Sequence, residues 1–161
     1  MSSLLFIPSC VCCQIVKELT IPPGGIIYAD EHVILTHNLD VKIPGYLLLF
    51  PRRHVEFYHD LSSLECDKIS LLMKKCSKIL SGLDGVERMY IVSLGEETRH
   101  VHFHLFPRYK WMLEEPYVKQ NKIDAAELFS QVRKKLQVNK QDMKDGSILE
   151  MVKYVKRELV N

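Results

Sequence analysis

Three histidines within five residues place the tightest constraint on how this chain can fold. His100, His102 and His104 alternate with apolar residues, and successive side chains of a β-strand point to opposite faces. The alternation predicts a strand over residues 100–106, with the imidazoles on one face at spacings of about 6.6 Å and the apolar residues in the core. Desolvated imidazoles in a row need an anion, a metal ion or water to satisfy their nitrogens. The row is therefore predicted to be a functional site.

Two chemistries make use of such a row. Alternating imidazoles on a strand can ligate zinc and leave an open position for a water molecule. A neutral imidazole with a pKa of about 6.5 is also a nucleophile and proton carrier suited to phosphoryl transfer near neutral pH. The residues by themselves do not separate a catalytic metal site from a nucleophilic one.

The region before this row mixes strand and helix patterns, which is typical of an α+β protein. The apolar run at 46–50 ends at a proline and indicates a central strand. Ser62 and Glu65 form a capping-box pattern ahead of an apolar stripe, which predicts a helix over 62–81. Residues 88–94 predict a further strand that pairs antiparallel with the histidine strand across a short polar loop.

The cysteines and the charge balance indicate a cytoplasmic protein. Three of the five cysteines, Cys10, Cys12 and Cys13, are bunched, which is a poor disulfide framework and a better metal or free-thiol pattern. The net charge of +2 excludes the strongly basic profile of proteins that wrap duplex nucleic acid. No apolar run approaches the roughly 20 residues of a membrane span, and no signal-peptide pattern is recognised. We expect neither a membrane nor a specific nucleic acid as partner.

Taken together, the motifs resemble the histidine-triad (HIT) family. His-Val-His-Phe-His-Leu-Phe at 100–106 matches that family's signature, in which apolar residues separate three histidines, at every position. Pro-Gly-Tyr at 44–46, with a histidine eight residues further on, is similar to the family's Pro-Gly-His segment, and Cys-Val-Cys-Cys at 10–13 looks like the start of zinc-containing members. The resemblance covers most of residues 10–109. It implies a HIT-like α+β fold with about five antiparallel strands, a packed helix and a homodimeric assembly.

The resemblance also implies catalytic roles by position. His102 would attack the α-phosphorus of a nucleoside phosphoramidate or dinucleoside polyphosphate, and the resulting nucleotidyl-histidine splits one difficult displacement into two easier ones. His104 would lie beside the phosphate and help to hold it. Asn38, eight residues before Tyr46, occupies the position of the family's ribose-binding residue. A turn-capping role is the alternative for this asparagine.

A structural zinc site is a further implication of the resemblance. Cys10 and Cys13 form a half site, and the family's remaining ligand positions fall on His54 and His100. A closed set of two cysteines and two histidines is structural and not catalytic. The alternative is that the cysteines are free thiols of an apolar segment and that His54 is a surface residue.

Two departures from the family pattern keep other functions open. Tyr46 stands where members commonly carry a fourth histidine, and its hydroxyl can bond the backbone or a neighbouring imidazole while staying neutral. The loop at 93–99 is several residues shorter than in well-studied hydrolases and contains no glutamine, so Ser93, Thr98 and Arg99 are its candidate nucleotide-binding donors. The Arg99 guanidinium is able to bind a phosphate through two hydrogen bonds, although strand alternation can point it away from the site. A nucleotide-binding regulatory protein with little turnover is therefore the main alternative to an enzyme. A metalloenzyme that uses all three triad histidines as ligands is the third hypothesis.

The last third of the chain matches no pattern of that family. Amphipathic stripes at 123–138 and from Ser147 onwards predict two helices whose apolar faces pack on a core. The chain is accordingly divided into a HIT-like nucleotide-binding domain at 1–109 and a helical C-terminal extension at 110–161, packed on the same domain.

Overall fold

The computed structural model describes residues 6–114, 123–138 and 146–160. Short 3₁₀ turns lie at Tyr58–Asp60 and Lys110–Leu113. The helices and strands in chain order are α1 (Val11–Val16), β1 (Ile26–Ala29), β2 (Val33–His37), β3 (Leu47–Pro51), α2 (Ser63–Ser81), β4 (Val86–Val92), β5 (Phe103–Tyr109), α3 (Ala125–Leu136) and α4 (Gly146–Val160).

All the strands in the described residues belong to one antiparallel sheet. It has five strands in the order β1-β2-β3-β5-β4. The predicted α+β class and number of strands are therefore confirmed. Every residue of β3 is buried, as expected for a central strand with a continuous apolar run. Strands β1 and β4 form the two edges of the sheet.

Helix α2 packs across one face of the sheet and begins where the capping-box pattern predicted. The Ser62 hydroxyl accepts a hydrogen bond from the Glu65 amide, and the Glu65 carboxylate accepts one from the Ser62 amide. The same carboxylate accepts two bonds of 2.8 Å from the Arg53 guanidinium, which ties the segment after β3 to the start of the helix. The buried stripe of α2 is formed by Ile69, Leu72, Cys76 and Leu80.

Helix α3 covers part of the opposite face. The Asp124 carboxylate accepts bonds from the amides of Ala126 and Glu127 at 2.9 and 3.0 Å, which satisfies two amides of the first helical turn. The buried apolar side chains of α3 join those of Val41, Ile43, Tyr46, Phe106 and Met112 in a second core cluster. The predicted helix in this part of the chain is therefore confirmed.

Helix α4 packs on the α2 side of the sheet. Val152 and Val155 lie in the same core cluster as the α2 stripe, and the Lys156 ammonium donates to the Gly24 carbonyl at 3.1 Å. The second predicted C-terminal helix is thereby confirmed. Within residues 6–114, 123–138 and 146–160, no helix combines the length and apolar character needed to cross a bilayer.

The two strands around the triad differ in their bounds from the prediction. Strand β5 runs over Phe103–Tyr109 instead of 100–106, and β4 over Val86–Val92 instead of 88–94. They pair antiparallel as predicted. The segment before β5 leaves the ladder because the Val101 amide donates to the Val55 carbonyl at 2.6 Å and because His100 turns towards the cysteines near α1.

The alternation of side chains nevertheless extends through this segment. Val101, Phe103 and Leu105 are buried in the core cluster beneath α2. His100 faces the cysteines near α1, and His102 and His104 line a cavity outside this core cluster. The predicted separation of apolar and imidazole faces is therefore confirmed, although only the last histidine of the triad lies within a strand.

Candidate active site and metal centre

Four side chains from three separate parts of the chain meet beside α1. Cys10 precedes this helix and Cys13 lies in its first turn, His54 follows β3, and His100 precedes β5. One ligand atom from each residue lies within 4.8 Å of all the others. The four residues that the resemblance assigned to zinc are thus brought together.

The spacing of these atoms fits a tetrahedral ion. Zinc bonds of about 2.3 Å to sulfur and about 2.0–2.1 Å to nitrogen give a sulfur-to-nitrogen edge of about 3.6 Å in a tetrahedron. The Sγ to Nδ1 distances are 3.3 Å for Cys13 and His54, 3.4 Å for Cys10 and His100, and 3.8 Å for Cys13 and His100. The donor set is closed, with four protein ligands and two soft thiolates. It is a structural zinc site, as expected.

Contacts outside the four ligands orient both imidazoles towards this centre. The Nε2 of His100 donates to the Pro51 carbonyl at 2.9 Å, which leaves the Nδ1 lone pair for the metal. The Nε2 of His54 lies 3.6 Å from a Glu56 carboxylate oxygen. A hydrogen bond from the Cys12 thiol, together with nearby His100, holds the pKa of Cys10 well below its usual value although burial opposes this. A low thiol pKa favours the thiolate, which is the metal-binding form.

His102 has its tautomer set by the backbone. Its Nδ1 lies 2.7 Å from the carbonyl oxygen of His100. Because a carbonyl only accepts hydrogen bonds, Nδ1 carries the ring proton. Burial lowers the pKa of His102, so the imidazole is neutral near pH 7. The Nε2 of His102 therefore holds a free electron pair.

His104 is the next imidazole of the triad, and its ring contacts Tyr46. Its Nδ1 lies 2.7 Å from the hydroxyl oxygen of Tyr46. Burial raises the pKa of Tyr46, so its hydroxyl keeps its proton, and such a hydroxyl can either donate to Nδ1 or accept from Nδ1–H. Burial also lowers the pKa of His104 to about 3, so the ring is neutral and carries a single proton. When the Tyr46 hydroxyl donates to Nδ1, that proton sits on Nε2 and His104 is a hydrogen-bond donor.

The two triad rings lie closer together than the strand spacing predicted. Their centroids are 5.0 Å apart at an interplanar angle of 73°, against the expected separation of about 6.6 Å. His102 precedes the first residue of β5, and its ring turns edge-on to that of His104. The two neutral imidazoles thus lie side by side.

Both rings line a cavity of about 270 Å³, which we call the triad cavity. Thr98 and the acidic side chains of Glu96 and Glu97 contribute to its wall from the short loop, and Arg133 contributes from α3. The apolar part of the wall is formed by Val11, Leu39, Leu48 and Leu94. The cavity combines apolar surface with a few polar groups, which is the usual composition of a small-molecule site.

Two predicted nucleotide-binding residues occupy different positions. Asn38 is buried and lines this cavity, while its amide oxygen accepts bonds from the backbone amides of Asp40 and Val41 at 3.1 and 2.8 Å. The oxygen therefore caps a turn, and the amide NH₂ is the group left for a ligand. Ser93 lines another cavity, shared with Ser70 and Met73 of α2, and is not brought together with the triad.

Sequence reasoning missed the contribution of α3. Phe129 has its ring centroid 5.5 Å from that of His104, and Arg133 follows one helical turn later. The amphipathic stripe predicted a buried face for this helix but contained no signal for what the face would contact. Only the docking of α3 beside β5 brings these side chains to the triad.

Similarity to known proteins was found across most of the chain. A profile described as HIT domain matches residues 22–111. An uncharacterized HIT-like protein of Methanocaldococcus jannaschii is 30% identical over 106 residues, which are 63% of this chain and 80% of that protein. A bifunctional bis(5'-adenosyl)-triphosphatase/adenylylsulfatase of Arabidopsis thaliana is 27% identical over 136 residues, 81% of this chain and 74% of the plant protein. A zinc-bound histidine triad family protein from Mycobacterium smegmatis shares the fold, with a TM-score of 0.62 at 18% identity and 94% of each chain covered.

Proposed function

Since the chain belongs to the HIT domain family, we propose that it is a nucleotidyl hydrolase or transferase that works through a nucleotidyl-histidine on His102. The observation that carries the proposal is the tautomer of this residue. Its Nδ1 donates to the His100 carbonyl at 2.7 Å, so Nε2 is free to attack an electrophilic phosphorus. The substrates that fit are a nucleoside phosphoramidate or a dinucleoside polyphosphate.

The reaction proceeds in two displacements. In the first, the Nε2 lone pair of His102 forms an N–P bond to the α-phosphorus, and the bond from phosphorus to the leaving oxygen or nitrogen breaks with its electron pair. In the second, a water oxygen forms a P–O bond, the N–P electron pair returns to Nε2, and the proton lost by water balances the one taken up by the leaving group. An acceptor other than water gives nucleotidyl transfer by the same steps.

His104 stabilises the charge that develops in both steps. We propose that the Tyr46 hydroxyl, 2.7 Å from Nδ1 of His104, donates to that nitrogen, so that Nε2–H is available to a non-bridging phosphate oxygen. A preorganised donor of this kind stabilises the transition state more than the ground state. Thr98 and the amide NH₂ of Asn38 are proposed as further nucleotide contacts because both residues line the triad cavity. Ser93 has less support, because it lines the cavity beside α2.

Zinc at Cys10, Cys13, His54 and His100 would hold the backbone beside the nucleophile. With four protein ligands it has no open position for a substrate, so it supplies folding free energy and no catalytic water. The carbonyl of the liganding residue His100 is the same group that fixes the tautomer of His102. Zinc bound by these four residues would therefore affect catalysis through the position of that carbonyl.

A regulatory nucleotide-binding protein with little turnover is the second candidate. The observation that favours it is the acidic loop, since Glu96 and Glu97 line the cavity and would repel a polyphosphate. Mononucleotide binding by calorimetry, beside negligible hydrolysis over a panel of substrates, would support this alternative.

The assembly and location are also proposed. Strand β4 is an edge of the sheet with Ile91 47% exposed and Leu94 just beyond it 57% exposed, and an unpaired apolar edge is an aggregation hazard that pairing with a second copy removes. Sedimentation that gave only the 18.8 kDa monomer mass would contradict a homodimer.

The free cysteines support a cytoplasmic location. The division into a nucleotide-binding domain at 1–109 and an extension at 110–161 is kept as a proposal.

The proposed activity is tested by turnover of the wild type and two histidine variants. Adenosine phosphoramidate and dinucleoside polyphosphates of different phosphate number form the substrate panel. His102→Ala should lose turnover with an unchanged melting temperature. His59→Ala is the matched control, because its side chain is 79% exposed and lies outside the triad cavity. Full activity of His102→Ala at saturating substrate would refute the mechanism.

A further inference from the structure

Helix α3 brings a cation to the wall of the triad cavity. Phe129 packs edge-on against both His104 and Tyr46, with ring centroids 5.5 and 6.4 Å away. Arg133 lies four residues later and therefore on the same helix face, with its guanidinium carbon 5.2 Å from the Phe129 ring centroid. Arg133 lines the triad cavity and also an adjoining cavity of about 710 Å³ along β4.

The guanidinium of Arg133 is not neutralised within the described parts of the chain. No carboxylate there forms an ion pair with it, and its Nε is buried without a hydrogen-bond partner. A buried polar group without a partner costs free energy, and native structures contain few of them. Glu97 and Asp40 line both cavities as well, but the Asp40 carboxylate already accepts a bond from the Gln137 amide at 3.0 Å.

The charge of Arg133 also reaches the imidazole beside the nucleophile. After burial and the neighbouring His102, the positive charge of Arg133 is the third contribution that lowers the pKa of His104. The same charge opposes the rise that burial imposes on the pKa of Tyr46. A positive charge that acts on these two groups also acts on an anion bound in the cavity that His104 and Arg133 line.

We propose that Arg133 binds the phosphate oxygens of the nucleotide and that α3 therefore forms part of the active site. This inference rests on the proposed function, which puts a phosphate beside His102 and His104. The short loop before the triad has no glutamine and contributes acidic side chains to the cavity, so the positive charge comes from the C-terminal extension instead. The planar guanidinium can donate two parallel hydrogen bonds to a phosphate. The ligand class is accordingly a nucleoside carrying an anionic phosphate, with the uncharged nucleoside bound much less tightly.

Calorimetric titration with AMP and with adenosine tests this assignment. Arg133→Ala should weaken AMP binding about ten- to a hundredfold, in line with the loss of charge-assisted hydrogen bonds, and change adenosine binding by less than about twofold. Arg133→Lys should recover part of the loss, because it keeps the charge without the planar fork. Lys134→Ala removes the same charge from the next residue of α3, which is exposed and lines only the adjoining cavity. AMP binding by that variant should stay near the wild-type value.

Three outcomes would overturn the assignment. AMP binding by Arg133→Ala at the wild-type level would exclude a contact. Equal weakening of AMP and adenosine would indicate that Arg133 only supports the fold. Equal weakening of AMP binding by Arg133→Ala and Lys134→Ala would indicate a general effect of the positive charge on α3, without a direct contact from Arg133. Because AMP binding needs no turnover, a protein that discriminates AMP from adenosine through Arg133 but hydrolyses no substrate would refute the proposed function and leave this inference standing.

Discussion

Removing the hydroxyl of Tyr46 isolates its hydrogen bond to Nδ1 of His104, which in the proposed mechanism confines the proton of that ring to Nε2. In Tyr46→Phe the ring keeps its edge-on contacts with Phe106 and Phe129, at centroid distances of 5.2 and 6.4 Å, so packing is preserved. What is lost is the 2.7 Å bond to Nδ1 of His104, and a buried ring nitrogen stays without a hydrogen-bond partner. That loss costs about 2 kcal/mol, which for a chain of this size lowers the melting temperature by about 4–8 °C.

The same change should lower turnover. Without the Tyr46 hydroxyl, the proton of His104 is no longer confined to Nε2, and the ring presents a donor to the phosphate for only part of the time. Loss of a complete transition-state donor costs about a hundred- to a thousandfold in kcat, and partial loss should therefore cost about tenfold or more. Steady-state release of nucleoside monophosphate from a dinucleoside polyphosphate measures it.

Tyr109→Phe provides the matched control. Its hydroxyl donates to the Pro44 carbonyl at 2.9 Å, near the far end of β5 from the triad. The melting temperature of this variant should fall, and its turnover should stay at the wild-type level. Tyr46→His, which keeps a ring nitrogen able to donate, should retain more activity than Tyr46→Phe. Turnover of Tyr46→Phe within twofold of that of Tyr109→Phe would refute the role assigned to the hydroxyl.

Three further predictions concern the metal, the helix cap and acid stability. His100→Ala should lose zinc and melt at a lower temperature, because structural zinc contributes folding free energy, whereas His102→Ala should keep its zinc; metal analysis and melting curves distinguish them. Glu65→Ala should reduce the free energy of unfolding by about 2–4 kcal/mol, because it removes the capping box and the Arg53 ion pair, and an unchanged urea midpoint would contradict this. Burial lowers the pKa of His104 to about 3, against about 6.5 in the unfolded chain. Between about pH 6.5 and about pH 3 the unfolded chain therefore binds a proton that the folded chain does not bind. The free energy of unfolding should fall as the pH falls from about 6.5 towards 3. His104→Gln should flatten this part of the plot of stability against pH.

The alternating pattern of the triad predicted which side chains face the core but not where the strand starts. Val101 and Phe103 are buried as predicted because period-two patterning follows directly from extended backbone. The start of β5 depends instead on His100 reaching a cysteine pair 87–90 residues earlier in the chain. The local sequence pattern carries no information about a contact between residues so far apart in the chain.

The same reasoning explains what was missed on α3. Its apolar stripe predicted burial, since a helix with one apolar face packs on something. Which neighbour it packs on is decided by tertiary contacts with Tyr46 and Phe106. The position of Arg133 at the triad is a consequence of that docking. Asn38 is the opposite case. Its residue type predicts a turn-capping role, and its amide oxygen accepts the two backbone hydrogen bonds that cap the turn.

The central claim is the covalent nucleotidyl-histidine, and the mass of the protein during turnover tests it most directly. Wild-type protein is mixed with a dinucleoside polyphosphate, quenched in alkali within the first turnover and digested for mass spectrometry. The mechanism predicts a nucleotidyl group on the peptide that contains His102, formed before product is released and absent from His102→Ala. Turnover without any adduct, or an adduct that persists in His102→Ala, would contradict the mechanism.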